Sequence, residues 1–214
     1  MRISYAALSA ALVFAPLAAQ AQQVEPPKPG DWQVTVRVTD LAPTANDAIR
    51  TGSGGSTGLH VNVSDSFMPT LGFTYFLTDK LAVEGILGTT EHTVRAEGAG
   101  TSVKVHDTWV IPPVVTLQYR PLPTARFSPY VGAGLNGVIF YDGKDHNGFN
   151  VRLRNQIGTA LQVGADYSLM GPWLLNADVK KVFVATKANI NSGALQSNVH
   201  LDPWVASLGV ARRF

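Results

Sequence analysis

The five histidines and fifteen carboxylates of this 214-residue chain are the groups best able to do chemistry, and none stands in a reactive arrangement. His60, His92, His106, His146 and His200 all fall in predicted loops or strand ends, and no two share the short spacing of a metal motif. Asp142, Asp145 and His146 form the one cluster with cation-binding residue types, but so generic a group reads as a solvated loop. No Ser/His/Asp order, phosphate-cradling glycine loop or paired carboxylates stand out. Cysteine is absent, which excludes thiolate nucleophiles, thiolate metal sites and a disulfide framework. An enzymatic reading would need a polar cluster at an external rim, where only His92 or His106 with a nearby serine qualify. We expect no enzyme, no cofactor and no metal.

A second set of polar residues sits differently. Arg37, Glu84, Gln118, Asp166, Asp178 and Lys180 each interrupt an apolar stretch at the same parity as small or polar neighbours. On an extended strand successive side chains point to opposite faces, so these six share the face opposite the apolar one. The alternation is cleanest at Trp32, Val34, Val36 and Val38 against Gln33, Thr35, Arg37 and Thr39. It returns near Met68–Leu77, Leu81–Leu87, Trp109–Tyr119, Pro129–Tyr141, Ile157–Tyr167, from Trp173, and over Pro203–Phe214.

The connections between these runs alternate long and short. Polar stretches at Leu41–Ser66, Glu91–Asp107, Asp142–Asn150 and Thr186–His200 read as long loops, while Thr78–Lys80, Pro121–Ser128 and Met170–Pro172 are short turns. Long external loops and short periplasmic turns mark a transmembrane barrel. Only 15% of residues are charged, and no mature segment approaches the ~18 consecutive apolar residues of a spanning helix. The predicted fold is all-β: an eight-stranded antiparallel transmembrane β-barrel with long extracellular loops and short periplasmic turns.

Export fits that reading. Arg2, an apolar stretch from Ile3 to Leu17 and Ala19-Gln20-Ala21 make a secretory signal with cleavage expected after Ala21. Residues 22–30 are a proline-rich leader and 31–214 the barrel. A formal net charge of +2 lacks the basic face a nucleic acid would need, so no nucleic-acid partner is expected. Phe214 closes an alternating terminal strand and resembles the signal read by the outer-membrane insertion machinery. The expected address is the Gram-negative outer membrane, with its lipid and lipopolysaccharide as surroundings.

Several stretches resemble the OmpW family of outer-membrane proteins, which includes alkane importers. They are Thr74-Tyr75, Thr78-Asp79, Val83-Glu84, Pro112-Pro113, Pro129 to Asn136 (PYVGAGLN), Gln162 to Tyr167 (QVGADY), Trp173-Leu174 and Leu201 to Val205 (LDPWV). In this order they span nearly the whole mature chain. Arg212 departs from the aromatic usual there, which places it at the periplasmic rim. The Asp142–Asn155 loop is also shorter than usual.

The resemblance implies a narrow apolar-lined lumen that carries small hydrophobic solutes through the lipopolysaccharide leaflet. It also implies an apolar constriction at Ile86 and Ile157. Parity points Ile86 inward, but points Ile157 outward unless a bulge intervenes. Eight strands leave room for side chains or one small ligand, not a water-filled pore. Pro112-Pro113 removes two ladder donors and is the feature that would part neighbouring strands into a lateral opening. The inward polar residues are expected to pair across the lumen as a plug. The alternative is a plugged structural or receptor barrel that displays its loops to phage, colicins or a host and carries nothing.

Overall fold

The computed structural model describes residues 24–98 and 100–214, so the expected signal segment lies outside the described residues. The strands are β1 (Trp32–Ala42), β2 (Ala48–Thr51), β3 (Ser56–Val63), β4 (Ser66–Phe76), β5 (Leu81–Gly88), β6 (Thr90–Gly98), β7 (Thr101–Ile111) and β8 (Val114–Tyr119). They continue with β9 (Phe127–Asp145), β10 (Val151–Arg152), β11 (Gln156–Ser168), β12 (Trp173–Phe183), β13 (Ala185–Ile190), β14 (Leu195–His200) and β15 (Trp204–Arg213). Eight of them, β1, β4, β5, β8, β9, β11, β12 and β15, are antiparallel neighbours in that order. The last pairs back onto the first, from Gln33↔Arg213 to Ala42↔Trp204, and closes the barrel. Closure leaves these eight no unpaired edge, which a sheet in hydrocarbon cannot tolerate.

Alternation turns the barrel inside out relative to a soluble protein. On β1 the side chains of Thr35, Arg37 and Thr39 are buried while Val38 is 66% exposed; Leu135 and Leu208 are 60% and 65% exposed. A coat of aliphatic side chains around a polar interior is stable only where the surrounding solvent is hydrocarbon. Trp32, Tyr75 and Trp173 ring one end of the coat, and Trp109, Tyr141, Phe183 and Trp204 the other. Inside, Gly134 lets two strands nearly touch: a Cβ there would collide with the Val115 carbonyl and come within 2.7 Å of Thr116 Cα.

The long segments are not loops. β2, β3, β6, β7, the upper part of β9, β13 and β14 continue the sheet above the membrane as a wall. Their inner side is apolar, with Ile49, Val61, Val105, Ile190 and Val199 in one cluster. The physical reason is that these segments keep the period of two, but glycine, serine and asparagine on the wet side dilute it below recognition. At the opposite end the connections at residues 77–80, 120–126 and 169–172 are short, as expected. Phe214 is tied to Trp32 there by reciprocal backbone hydrogen bonds of 2.7 and 3.2 Å. Arg212 lies at this rim, its guanidinium 4.8 Å from the Phe214 ring and 5.7 Å from that of Trp173.

Candidate functional site

The interior divides into two storeys of opposite character. The lower storey is a polar plug. Arg37 on β1 donates to Glu84 on β5 at 2.5 Å and to Asn176 on β12 at 2.6 Å. Glu84 also accepts from Gln118 at 3.0 Å and from Gln162 at 2.7 Å, and Lys180 lies 3.6 Å away. Asp178 accepts from Lys180, from Gln162 at 2.6 Å and from the Tyr130 hydroxyl at 2.9 Å. Asp166 accepts from Arg120 at 2.6 Å, Asn176 at 2.7 Å and Gln33 at 3.2 Å. Three cations (Arg37, Arg120, Lys180) thus meet three carboxylates (Glu84, Asp166, Asp178), all essentially without solvent contact. Buried charge persists only when paired and hydrogen-bonded, and each of these six charges has an opposite partner within a network drawn from six of the eight barrel strands, with only Arg37 Nη1 and Arg120 Nε of their nitrogens left without an acceptor.

Arg37, Glu84, Gln118, Asp166, Asp178 and Lys180 are therefore brought together. The sequence reading omitted Arg120, and left Gln33, Tyr130, Asn136, Gln162 and Asn176 without a role in the plug. Parity was the available signal, since Gln33, Tyr130, Gln162 and Asn176 all occupy inward positions. Arg120 hides because Pro121 follows it and makes it look like part of a turn.

Above the plug lies a narrow cavity of about 90 Å³. Its walls are aliphatic, with Val105, Val110, Val182, Val184 and Val199 among them, and Lys180 belongs to its floor. A hydroxyl cluster completes the floor, Thr39 lying 2.7 Å from Thr70 and 2.9 Å from Ser207. Ile86, Gly88, Pro112, Val114 and Asn136 form one side of the chamber.

That side contains a break in the backbone ladder. Ile86 pairs with Val114 and Thr90 with Val110, but residues 87–89 and 111–113 are unpaired with each other. Alternation assigns the cause. Arg120 N–H bonds the Lys80 carbonyl across this seam, so residues 120, 118, 116, 114 and 112 direct their backbone groups toward β5. Gly137 N–H bonds the Pro113 carbonyl at 2.8 Å, so Pro113 faces β9 instead. The missing pair is Gly88 with Pro112, and Pro112 has no N–H to give. Asn136 Nδ2 also donates to the Pro113 carbonyl at 3.2 Å and holds the β9 side shut.

Ile157 is a correction. It is 79% exposed on the outer surface, because β11 pairs with β9 from Gln156↔Val138 to Tyr167↔Phe127 without a bulge. Ile86 lies on the cavity side, facing the break.

The histidines serve the wall. His92 Nδ1 lies 2.7 Å from the Ser64 carbonyl, and His106 Nδ1 2.8 Å from Asp145. His146 Nε2 lies 2.8 Å from Asp107, which also takes Lys104 at 2.6 Å and Thr93 at 2.7 Å. Burial pushes the Asp107 carboxyl up, but hydrogen bonds from Lys104, Thr93 and His146 outweigh it and bring it to about 2 from 3.8. A carboxylate held below its unfolded value stabilises the fold above that value and stops doing so as pH falls through the folded one. The wall is therefore expected to loosen between about pH 4 and pH 2, read as a rise in pepsin cleavage near Asn147-Gly148. Asp107→Asn should be cleaved readily at pH 4 already. An unchanged acid profile in that variant would refute the assignment.

Comparison with known proteins agrees with this architecture. The model of the OmpW family matches residues 28–214. An uncharacterized outer-membrane protein of Sinorhizobium fredii, y4mB, is 38% identical over 86% of this chain and 80% of its own. The dibenzothiophene metabolism operon protein PahQ of Pseudomonas aeruginosa is 26% identical over 86% of this chain and 88% of its own. The crystal structure of the outer membrane protein OprG from Pseudomonas aeruginosa superposes with a TM-score of 0.82, at 28% identity, over 87% of this chain and 97% of that one.

Proposed function

The chain belongs to the OmpW family of outer-membrane β-barrels, and from that premise we propose that it passes small hydrophobic molecules inward through its upper cavity and sideways into the membrane. The observation that carries this is the junction of the two storeys. An apolar solute entering the cavity meets a sealed, charge-balanced floor, and stripping charged groups of their partners is costly. The interrupted ladder beside Gly88 and Pro112 is the exit that asks for no such loss. Passage is passive, since hydrocarbon below the lipopolysaccharide headgroups accepts an apolar solute that the headgroups repel. A relative named for a dibenzothiophene metabolism operon supports an aromatic hydrocarbon-like cargo.

On this reading the protein is not an enzyme. His92 and His106, the rim candidates, hydrogen-bond a backbone carbonyl and Asp145 rather than a serine hydroxyl.

The test is uptake of a medium-chain alkane by cells with and without the protein, beside a hydrophilic solute of similar size. Uptake of the alkane should rise several-fold with the protein, and that of the hydrophilic solute should not. No protein-dependent rise, with a folded surface-exposed barrel, would overturn the reading and favour a receptor barrel.

A further inference from the structure

We propose that the outward face of β10, β12 and β13 binds the phosphates of an outer-leaflet glycolipid of the lipid A type. The inference rests on the barrel's place in the outer membrane and is independent of what passes through it. The apolar coat ends on this side at Ile157, Phe183 and Trp204. Immediately beyond, Val151, Leu153, Thr186 and Ala188 face the cavity, so alternation turns Arg154 and Lys187 outward. The pairing Val151↔Ile190, Arg152↔Asn189 ends at Arg152, and the chain beyond it keeps Arg154 beside the Thr186–Lys187 stretch of β13. The Thr186 hydroxyl holds both backbone groups of Arg154, at 2.8 and 3.4 Å, and keeps the two strands together there.

Like charges held side by side on a sheet repel, and an anion seated between Arg154 and Lys187 would turn that repulsion into two attractions. Elsewhere on the wall Lys104 meets Asp107 at 2.6 Å, Arg95 meets Glu97 at 3.8 Å and His200 meets Asp47 at 2.8 Å, while Arg50 and Lys144 stand singly, without a second cation placed opposite them. Arg154, Lys181 and Lys187 have no ion-pair partner among the described residues. Arg152, by contrast, feels the Asp145 carboxylate.

The heights suit the occupant. Lys181 pairs with Leu161 and Trp204 inside the edge of the apolar coat, and its ammonium lies over the Trp204 ring at 5.0 Å while donating to the Asp202 carbonyl. That is how a lysine at a lipid interface lays its stem on apolar surface and lifts its charge toward headgroups. Lys187 stands four residues beyond Phe183, about 13 Å further along the strand. The strip therefore runs from acyl-chain level to headgroup level, with the amides of Asn189 and Asn198 beside it for sugar hydroxyls.

The full chain, refolded in detergent, is titrated with diphosphorylated lipid A and with the same glycolipid dephosphorylated. Each lysine or arginine near a phosphate is worth about a fivefold gain, so the wild type should prefer the phosphorylated form at least about tenfold. Arg154→Glu/Lys187→Glu should abolish the preference, Arg154→Gln/Lys187→Gln should halve it or more, and Arg50→Glu should keep it. A heat-dependent shift in electrophoretic mobility verifies each barrel is folded. Equal binding of the two glycolipids, or an undiminished preference in the Glu pair, overturns the proposal. Displacement by millimolar inorganic phosphate would overturn it too, as a site for the free ion.

Discussion

Replacing Pro112 alone with alanine should cut uptake of an apolar solute roughly tenfold, while replacing Pro113 alone should leave it nearly unchanged. Two adjacent prolines look equivalent, but they face opposite neighbours. Residue 112 points its backbone at Gly88 across the broken seam, and residue 113 points at β9, where Gly137 and Asn136 already bind its carbonyl. Alanine at 112 restores an N–H and lets the pair with Gly88 close through two hydrogen bonds. At ~0.5–1.5 kcal/mol net for each, that is ~1–3 kcal/mol against opening, or a factor of about 5 to 150. Melting should shift upward in the same variant. Uptake insensitive to Pro112→Ala but sensitive to Pro113→Ala would place the exit elsewhere.

Removing the Glu84 carboxylate should have the largest effect on the barrel itself. Glu84→Ala leaves Arg37, Gln118 and Gln162 without their shared acceptor and Lys180 with one carboxylate instead of two. Breaking a buried pair from one side costs about 3–5 kcal/mol because the surviving charge is stranded. The variant should unfold at markedly lower temperature and, where it folds, conduct small ions across a planar bilayer more readily than the wild type. Glu84→Gln/Lys180→Gln removes one charge of each sign and should recover much of the stability. If the double variant melts no higher than Glu84→Ala, charge balance is not what holds the plug.

The barrel was legible in the sequence because hydrocarbon outside and polar groups inside impose one rule on every strand. Val34, Val36 and Val38 against Thr35, Arg37 and Thr39 announce it with no other information. The same rule already pointed Ile157 outward, and where family resemblance disagreed with parity, parity was right. Arg37, Glu84 and Lys180 were readable as inward, but their partners were not. Who meets whom across a barrel depends on how far the strands are staggered on closure, and no local pattern carries that. The external wall was missed for a different reason. Its polar side is wet and free to hold glycine, serine or charge, so only half of each strand carries a signal. The unequal roles of Pro112 and Pro113 needed the register, which fixes the direction of each carbonyl.

The strand pairing has the same residue sum on both sides of the break, since Ile86↔Val114 below and Thr90↔Val110 above belong to one register. The two ladders are thus in phase, like the two lines of stitching at the ends of a buttonhole. Such a slit can gape and shut without either strand sliding, and no side chain has to change faces as it does so. Opening is then a local flexure bounded by fixed ends, whose width is capped by the few unpaired residues between them. On the proposed sideways passage, the span of that slit, rather than the bore of the barrel, would set the largest molecule able to leave through it.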